Sequence, residues 1–213
     1  MQASNASVRA LLWVICGGSL ALWFLQWAAP SLPPLSDGGL SFSQELSNAL
    51  VLRAATLRAG AVWQCFSYAL LHGSWMHLAV NMITLWVTGH TLGRILGAQR
   101  LAWLIALGAA AGAAGFLLSI LLDPRLSHAM TCVGASAIVA ALLGCATTLA
   151  PRARLLLLLG PIPVPLRALW LLPILLCWLL AEALFYPSVT AYGAHAAGWL
   201  CGLLCGAAWS RHV

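Results

Sequence analysis

Thr131-Cys132-Val133-Gly134-Ala135-Ser136-Ala137-Ile138 sets one hydroxyl among small residues at the mouth of an apolar run that continues to Ala150. A serine so placed either caps a helix or serves as a nucleophile. Two histidines and an asparagine stand at a comparable depth in other apolar runs of the chain, and this recurrence favours the nucleophile.

Composition fixes the surroundings of that serine. Of 213 residues, 62% are hydrophobic and 7% are charged, against about 45–50% and about 25% in soluble domains. Mean hydropathy is +0.95. A soluble or disordered chain is excluded, and the lipid bilayer becomes the first partner. Backbone amides cannot stay unpaired in hydrocarbon, and the apolar runs are continuous where a barrel strand would alternate, so the expected class is an all-α membrane protein.

The net charge of +6 comes from arginine alone, scattered singly or in pairs between apolar runs. That pattern sets membrane topology and offers no nucleic-acid surface. The seven cysteines, at 16, 65, 132, 145, 177, 201 and 205, include no C-x-x-C pair. They read as small core residues, with neither a disulfide framework nor a metal or other cofactor implied.

Working outward from Ser136, the chain reads as one domain over 1–213 with a short tail at 1–8. Six spans are expected at about 8–29, 76–92, 101–122, 133–150, 167–185 and 194–209, each near the length that crosses a core of about 30 Å. The first is too long for a cleaved signal and is expected to be retained. The first loop, 30–62, carries Pro33-Pro34 and Asp37-Gly38-Gly39 and then Phe42 to Leu57, which reads as an amphipathic helix lying at the interface. Trp63 to His72 suits the headgroup layer. Asp123-Pro124-Arg125 through His128 is a polar loop, Pro161-x-Pro163-x-Pro165 closes the fourth span, and Tyr186 to Gly193 is a turn.

An even number of spans puts both termini on one side. With that side cytoplasmic, Arg9, Arg94, Arg100, Arg152, Arg154, Arg167 and Arg211 lie inside, against Arg53, Arg58 and Arg125 outside. His77, Ser136 and His195 then each begin a span that runs from outside inward, so all three fall near the outer face.

Serine at neutral pH needs a base within hydrogen-bond reach, and His195 is the candidate. Ser136, Ala140, Gly144 and Thr148 form a small-residue stripe facing another of His195, Gly198, Gly202 and Gly206, which permits close helix approach. The amide at a helix N-terminus offers one oxyanion donor, and His77 and Asn81, at i and i+4, offer two more. No carboxylate suits a third triad position, since Asp123 is in a loop and Glu182 lies near the far end of its span. A Ser-His dyad is the reading.

His72-Gly73-Ser74-Trp75-Met76-His77-Leu78-Ala79-Val80-Asn81 resembles the H-x4-H-x3-N signature of rhomboid intramembrane serine proteases. Gly134-Ala135-Ser136 is similar to their G-x-S, and Gly193-Ala194-His195-Ala196-Ala197-Gly198 to their A-H-x-x-G. The likeness covers Trp63 to Gly206. It implies a six-helix rhomboid-like bundle with an interfacial first loop, Ser136 as nucleophile, His195 as base, and His77 and Asn81 as oxyanion helpers. Transmembrane helices of other proteins are the implied substrates, and a compact six-span chain without a transit peptide fits a bacterial inner membrane. The chain departs from the family at Ala137, where glycine is usual, and at Ala140, where an aromatic often stacks on the histidine. It departs again at Gln64, after Trp63, and at Gly93, where a glutamate is expected.

Each residue also has a plainer reading. Ser136 caps or packs a helix, His195 is a structural hydrogen bonder, and Asn81 joins helices. His72 and His77 are zinc ligands only at a spacing poor for one helix face, and His90 and His128 are interface residues. A silent relative that escorts transmembrane helices without cutting them is the alternative function. A transporter lacks any sign of an inverted repeat.

Overall fold

The computed structural model describes residues 2–28, 41–122, 130–159, 162–185 and 191–212. Five longer helices carry the fold: α1 (Gln2–Ala28), α5 (Trp75–Leu122), α6 (Ser136–Leu149), α7 (Leu171–Phe185) and α8 (Ala191–Trp209). Between α1 and α5 lie α2 (Phe42–Leu50), β1 (Leu52–Arg53), α3 (Ala54–Arg58) and α4 (Gln64–Ser67). β2 (Thr131–Cys132) precedes α6, and β3 (Arg154–Leu159) and β4 (Ile162–Arg167) follow it. Helix therefore stands in every segment expected to span. Among the described residues, Asn5–Trp27 and Trp75–Leu122 are long and apolar enough to cross a membrane by length and composition, and Ser136–Leu149 is apolar but shorter. The prolines at 33, 34 and 161, the Asp37-Gly38-Gly39 turn, the loop from Asp123 to His128 and residues 186–190 lie outside the described residues.

The expected loop between spans two and three is reduced to one residue. Helical backbone runs through α5 except at Gly97, whose φ of 78° and ψ of 167° only glycine adopts cheaply. Leu101 packs beside Gly93, eight residues earlier, which a straight helix forbids, so α5 folds back as two rods. Helix α1 begins at Gln2, ahead of the expected first span. Gly89 and Gly93 receive the side chains of Leu12 and Val8 from α1. A glutamate at position 93 would collide with Val8, which accounts for that departure from the family pattern.

The amphipathic helix expected over Phe42 to Leu57 is two helices, because Leu52 and Arg53 extend to pair antiparallel with Cys132 and Thr131. Leu52 is completely buried, so burying it in the bundle outweighs continuing the helix. Gln64 anchors the loop from below. Its side chain accepts from Thr56 Oγ1 at 2.6 Å and donates to the carbonyls of Asn48 and Ala49 at 3.3 Å. Trp63 Nε1 donates to the Ala49 oxygen at 2.8 Å. The amide of Gln64 thus ties down the loop at the position where the chain departs from the family pattern.

The centre of the molecule is α6, packed between α5 and α8. Gly198 and Gly202 of α8 lie against the backbone of Ala137 and Ala141, Gly206 lies against Thr148 and Cys145, and Gly144 of α6 lies against the Trp199 carbonyl. The close seam that the small residues foretold is present and broader than one stripe: Ser136, Gly144 and Thr148 meet α8 as expected, and Ala137, Ala141 and Cys145 line it as well. After α6 the chain does not simply end a helix at its prolines. Leu155 to Leu159 pair with Ile162 to Leu166 in a hairpin. A run of five leucines reads equally as helix or strand, and proline fits a strand whose edge is free.

Candidate active site

Local backbone chemistry puts Ser136 where it is. Gly134 has φ of 111°, which an L side chain resists, and its amide donates to the Tyr68 carbonyl at 2.9 Å. Ala135 then turns the chain into α6, so Ser136 occupies the first helical residue with its amide among the unpaired first-turn donors. The β1–β2 pair clamps the residues just before this turn to the first loop.

His195 lies in the second turn of α8, on the rod that the glycines press against α6. Its Nε2 is 2.8 Å from Ser136 Oγ. Both residues are half-buried, so the hydroxyl is reachable and the pair is not sealed in the core. Cys132, four residues earlier, is no rival nucleophile, because burial pushes its thiol up to about 12 and keeps it protonated.

His77 stands over the turn. A Cβ built on Gly134 would lie 2.6 Å from His77 Cε1 and 2.8 Å from Nε2, so glycine is required there for the imidazole as well as for the turn. Ser74 Oγ accepts the His77 amide at 3.1 Å and starts α5. Asn81 sits one turn further along the same face. It is 4% exposed, and its Nδ2 has no hydrogen-bond partner among the described residues, an unusual state for a buried amide.

His72 was undervalued in the sequence. It is buried, and its ring meets that of His77 edge to face at a centroid distance of 5.1 Å. Nδ1–H donates to the Leu70 carbonyl at 3.3 Å, which leaves Nε2 to accept the Ala135 amide at 3.5 Å. Burial first, and the neighbouring His77 second, lower its pKa to about 4, so it is a neutral acceptor at ordinary pH. The signal was its place as the first histidine of H-x4-H, which an interface reading left unused.

Two departures from the family pattern have local accounts. The methyl of Ala137 points at Gly112 of α5, where any side chain would collide with it and with the Tyr68 hydroxyl. Ala140 is buried on α6.

The rhomboid domain model matches residues 59–212. This chain belongs to the rhomboid family. Rhomboid protein 1, mitochondrial, of Saccharomyces cerevisiae is 32% identical over 138 residues, which is 65% of this chain and 39% of that protein. The rhomboid described here therefore spans about two fifths of that relative's length. As a rhomboid it is an integral membrane protein of a protease family. Its helices bring Ser136 to His195 and His77 to Gly134, and bury Asn81 one turn along α5 from His77.

Proposed function

We propose that this rhomboid is an intramembrane serine endopeptidase that cuts transmembrane segments of other membrane proteins with a Ser136–His195 dyad. The observation that carries the reading is the 2.8 Å approach of His195 Nε2 to Ser136 Oγ at the opening of α6. That distance lies inside the hydrogen-bond range a general base needs.

In the proposed reaction His195 takes the Ser136 proton as Oγ attacks the scissile carbonyl carbon. The oxyanion is met by the Ser136 amide and by the side chains of His77 and Asn81. His195 then gives its proton to the leaving nitrogen, the peptide bond breaks, and an acyl-enzyme remains. A water molecule, deprotonated by the same imidazole, hydrolyses the ester and restores the serine. A helical substrate must unwind first, since its peptide bonds are shielded.

We further propose one membrane domain over 1–213 with six crossings, both termini cytoplasmic and the dyad near the outer face, on the arginine balance of seven against three. We assign it to a bacterial inner membrane; the name of the yeast relative puts that protein in mitochondria. The substrate is proposed to come in sideways between the first rod of α5 and α7. Support comes from α7, where Leu171 alone among the described side chains is buried.

The test is cleavage of a labelled transmembrane substrate by purified protein in detergent. Wild type is expected to cut and Ser136→Ala to be inert. Cutting that survives Ser136→Ala removes the nucleophile, and an inert wild type favours the helix-escorting alternative.

A further inference from the structure

The hairpin that follows α6 has no role in the chemistry above. Its register places Arg154 opposite Arg167, and alternation puts both on the same face as Pro163 and Pro165. All four are exposed, whereas Leu155 on the other face is buried. Like charges directly opposed across an antiparallel pair are destabilising unless something neutralises them. No acidic residue occurs between Asp123 and Glu182 in the sequence, so the segment supplies no counter-ion of its own. Arg154, Pro165, Leu166, Arg167 and Trp170 line a surface cavity of about 460 Å³. The Trp170 ring is 57% exposed.

An isolated two-stranded hairpin is marginal in water, and this one shows Ile162 at 63% exposure beside its prolines. Its open edges forbid the hydrocarbon core, so the headgroup layer is the place where apolar side chains and unpaired edges can both be satisfied. At the hairpin base the Ala168 amide donates to the Ala153 carbonyl and the Leu169 amide to the Pro151 carbonyl, both at 2.9 Å, at the end of α6 away from Ser136.

We propose that the Arg154–Arg167 face of the hairpin, with Trp170 beside it, binds the phosphodiester headgroup of an anionic membrane lipid. Guanidinium forks match phosphate oxygens in pairs, and tryptophan favours the interface depth. The proposal rests on the chain's membrane residence and not on the dyad, so it survives a failure of the protease reading.

Native mass spectrometry of the full chain, titrated separately with phosphatidylglycerol, phosphatidylcholine and inorganic phosphate, tests it. Wild type is expected to prefer phosphatidylglycerol over phosphatidylcholine by about tenfold or more, and inorganic phosphate is expected not to displace the lipid. Arg154→Gln with Arg167→Gln should weaken phosphatidylglycerol binding about thirtyfold, given the usual worth of each basic residue at an anionic surface. Arg94→Gln, the same charge change outside the hairpin, should leave it unchanged. Equal binding of the two lipids, an unaffected double variant, or displacement by inorganic phosphate would each overturn the proposal. Should the double glutamine variant not fold, Arg154→Lys with Arg167→Lys decides: it keeps the charge and loses the fork. Several-fold weaker binding supports the site and unchanged binding overturns it.

Discussion

α6 and α7 are almost the same length, 14 and 15 residues, and both are strongly apolar, yet they live in different surroundings. α6 buries Ala137, Ile138 and the whole stretch from Ala140 to Ala146, while α7 buries Leu171 alone among its described side chains. The difference lies in side-chain size. Alanine and glycine on α6 let two neighbours approach to backbone distance, and the leucines of α7 hold its neighbours off. Where lipid is as apolar as leucine, hydrophobicity gives no reason for helices to associate, and close packing does. The candidate site is therefore built on the small-residue helix, and the bulky one stays at the edge of the bundle.

The comparison breaks most visibly at the α6–α8 seam. Gly198→Leu forces a side chain into the Ala137 backbone and should cost roughly 3 kcal/mol or more, read as early thermal unfolding in detergent with loss of any activity. If the variant melts with wild type, the seam is not what holds α8. Next, Asn81→Ala should slow substrate cleavage by roughly 10–1000-fold, the range for losing one oxyanion donor. Its melting temperature should stay unchanged, because the amide nitrogen makes no bond among the described residues. A collapse of the melting temperature would make Asn81 structural.

His72 sharpens the comparison through pH. Its folded pKa of about 4 lies below the ordinary value of 6.5, so the unfolded chain binds the extra proton between those values. Its contribution to stability is complete above about pH 6.5 and is lost as pH falls through about 4, a change on the order of 3 kcal/mol. His72→Gln should flatten that part of the stability curve, and an equally steep acid loss in the variant would exclude His72 as its source. Gln64→Ala comes next. It strands carbonyls and a hydroxyl under the first loop and should cost about 1–2 kcal/mol in chemical denaturation. Smallest of all, Leu176→Ala on the exposed face of α7 should shift stability by less than about 0.5 kcal/mol. A larger loss would mean that α7 is packed as tightly as α6.

The helical segments were legible because long apolar runs bounded by arginine and proline have few alternatives in lipid. Ser136, His195, His77 and Asn81 were legible because their spacing matches a known constellation. Gly97 was not, since a one-residue reversal leaves no loop composition to notice. The share of Ala137, Ala141 and Cys145 in the seam was also hidden, because i+4 spacing reveals one stripe and not how wide a face its neighbour covers. The hairpin escaped because five leucines followed by alternating prolines fit either a fraying helix or a strand until Arg154 finds Arg167. His72 escaped because its work is done through the Ala135 backbone, to which no sequence pattern points.

The central claim is that Ser136 is a live nucleophile made so by His195, and labelling with a fluorophosphonate probe, which requires no known substrate, tests it most directly. One adduct is expected, mapped by mass spectrometry to Ser136, that disappears in both Ser136→Ala and His195→Ala. Failure of folded wild type to label, or undiminished labelling in His195→Ala, would contradict it.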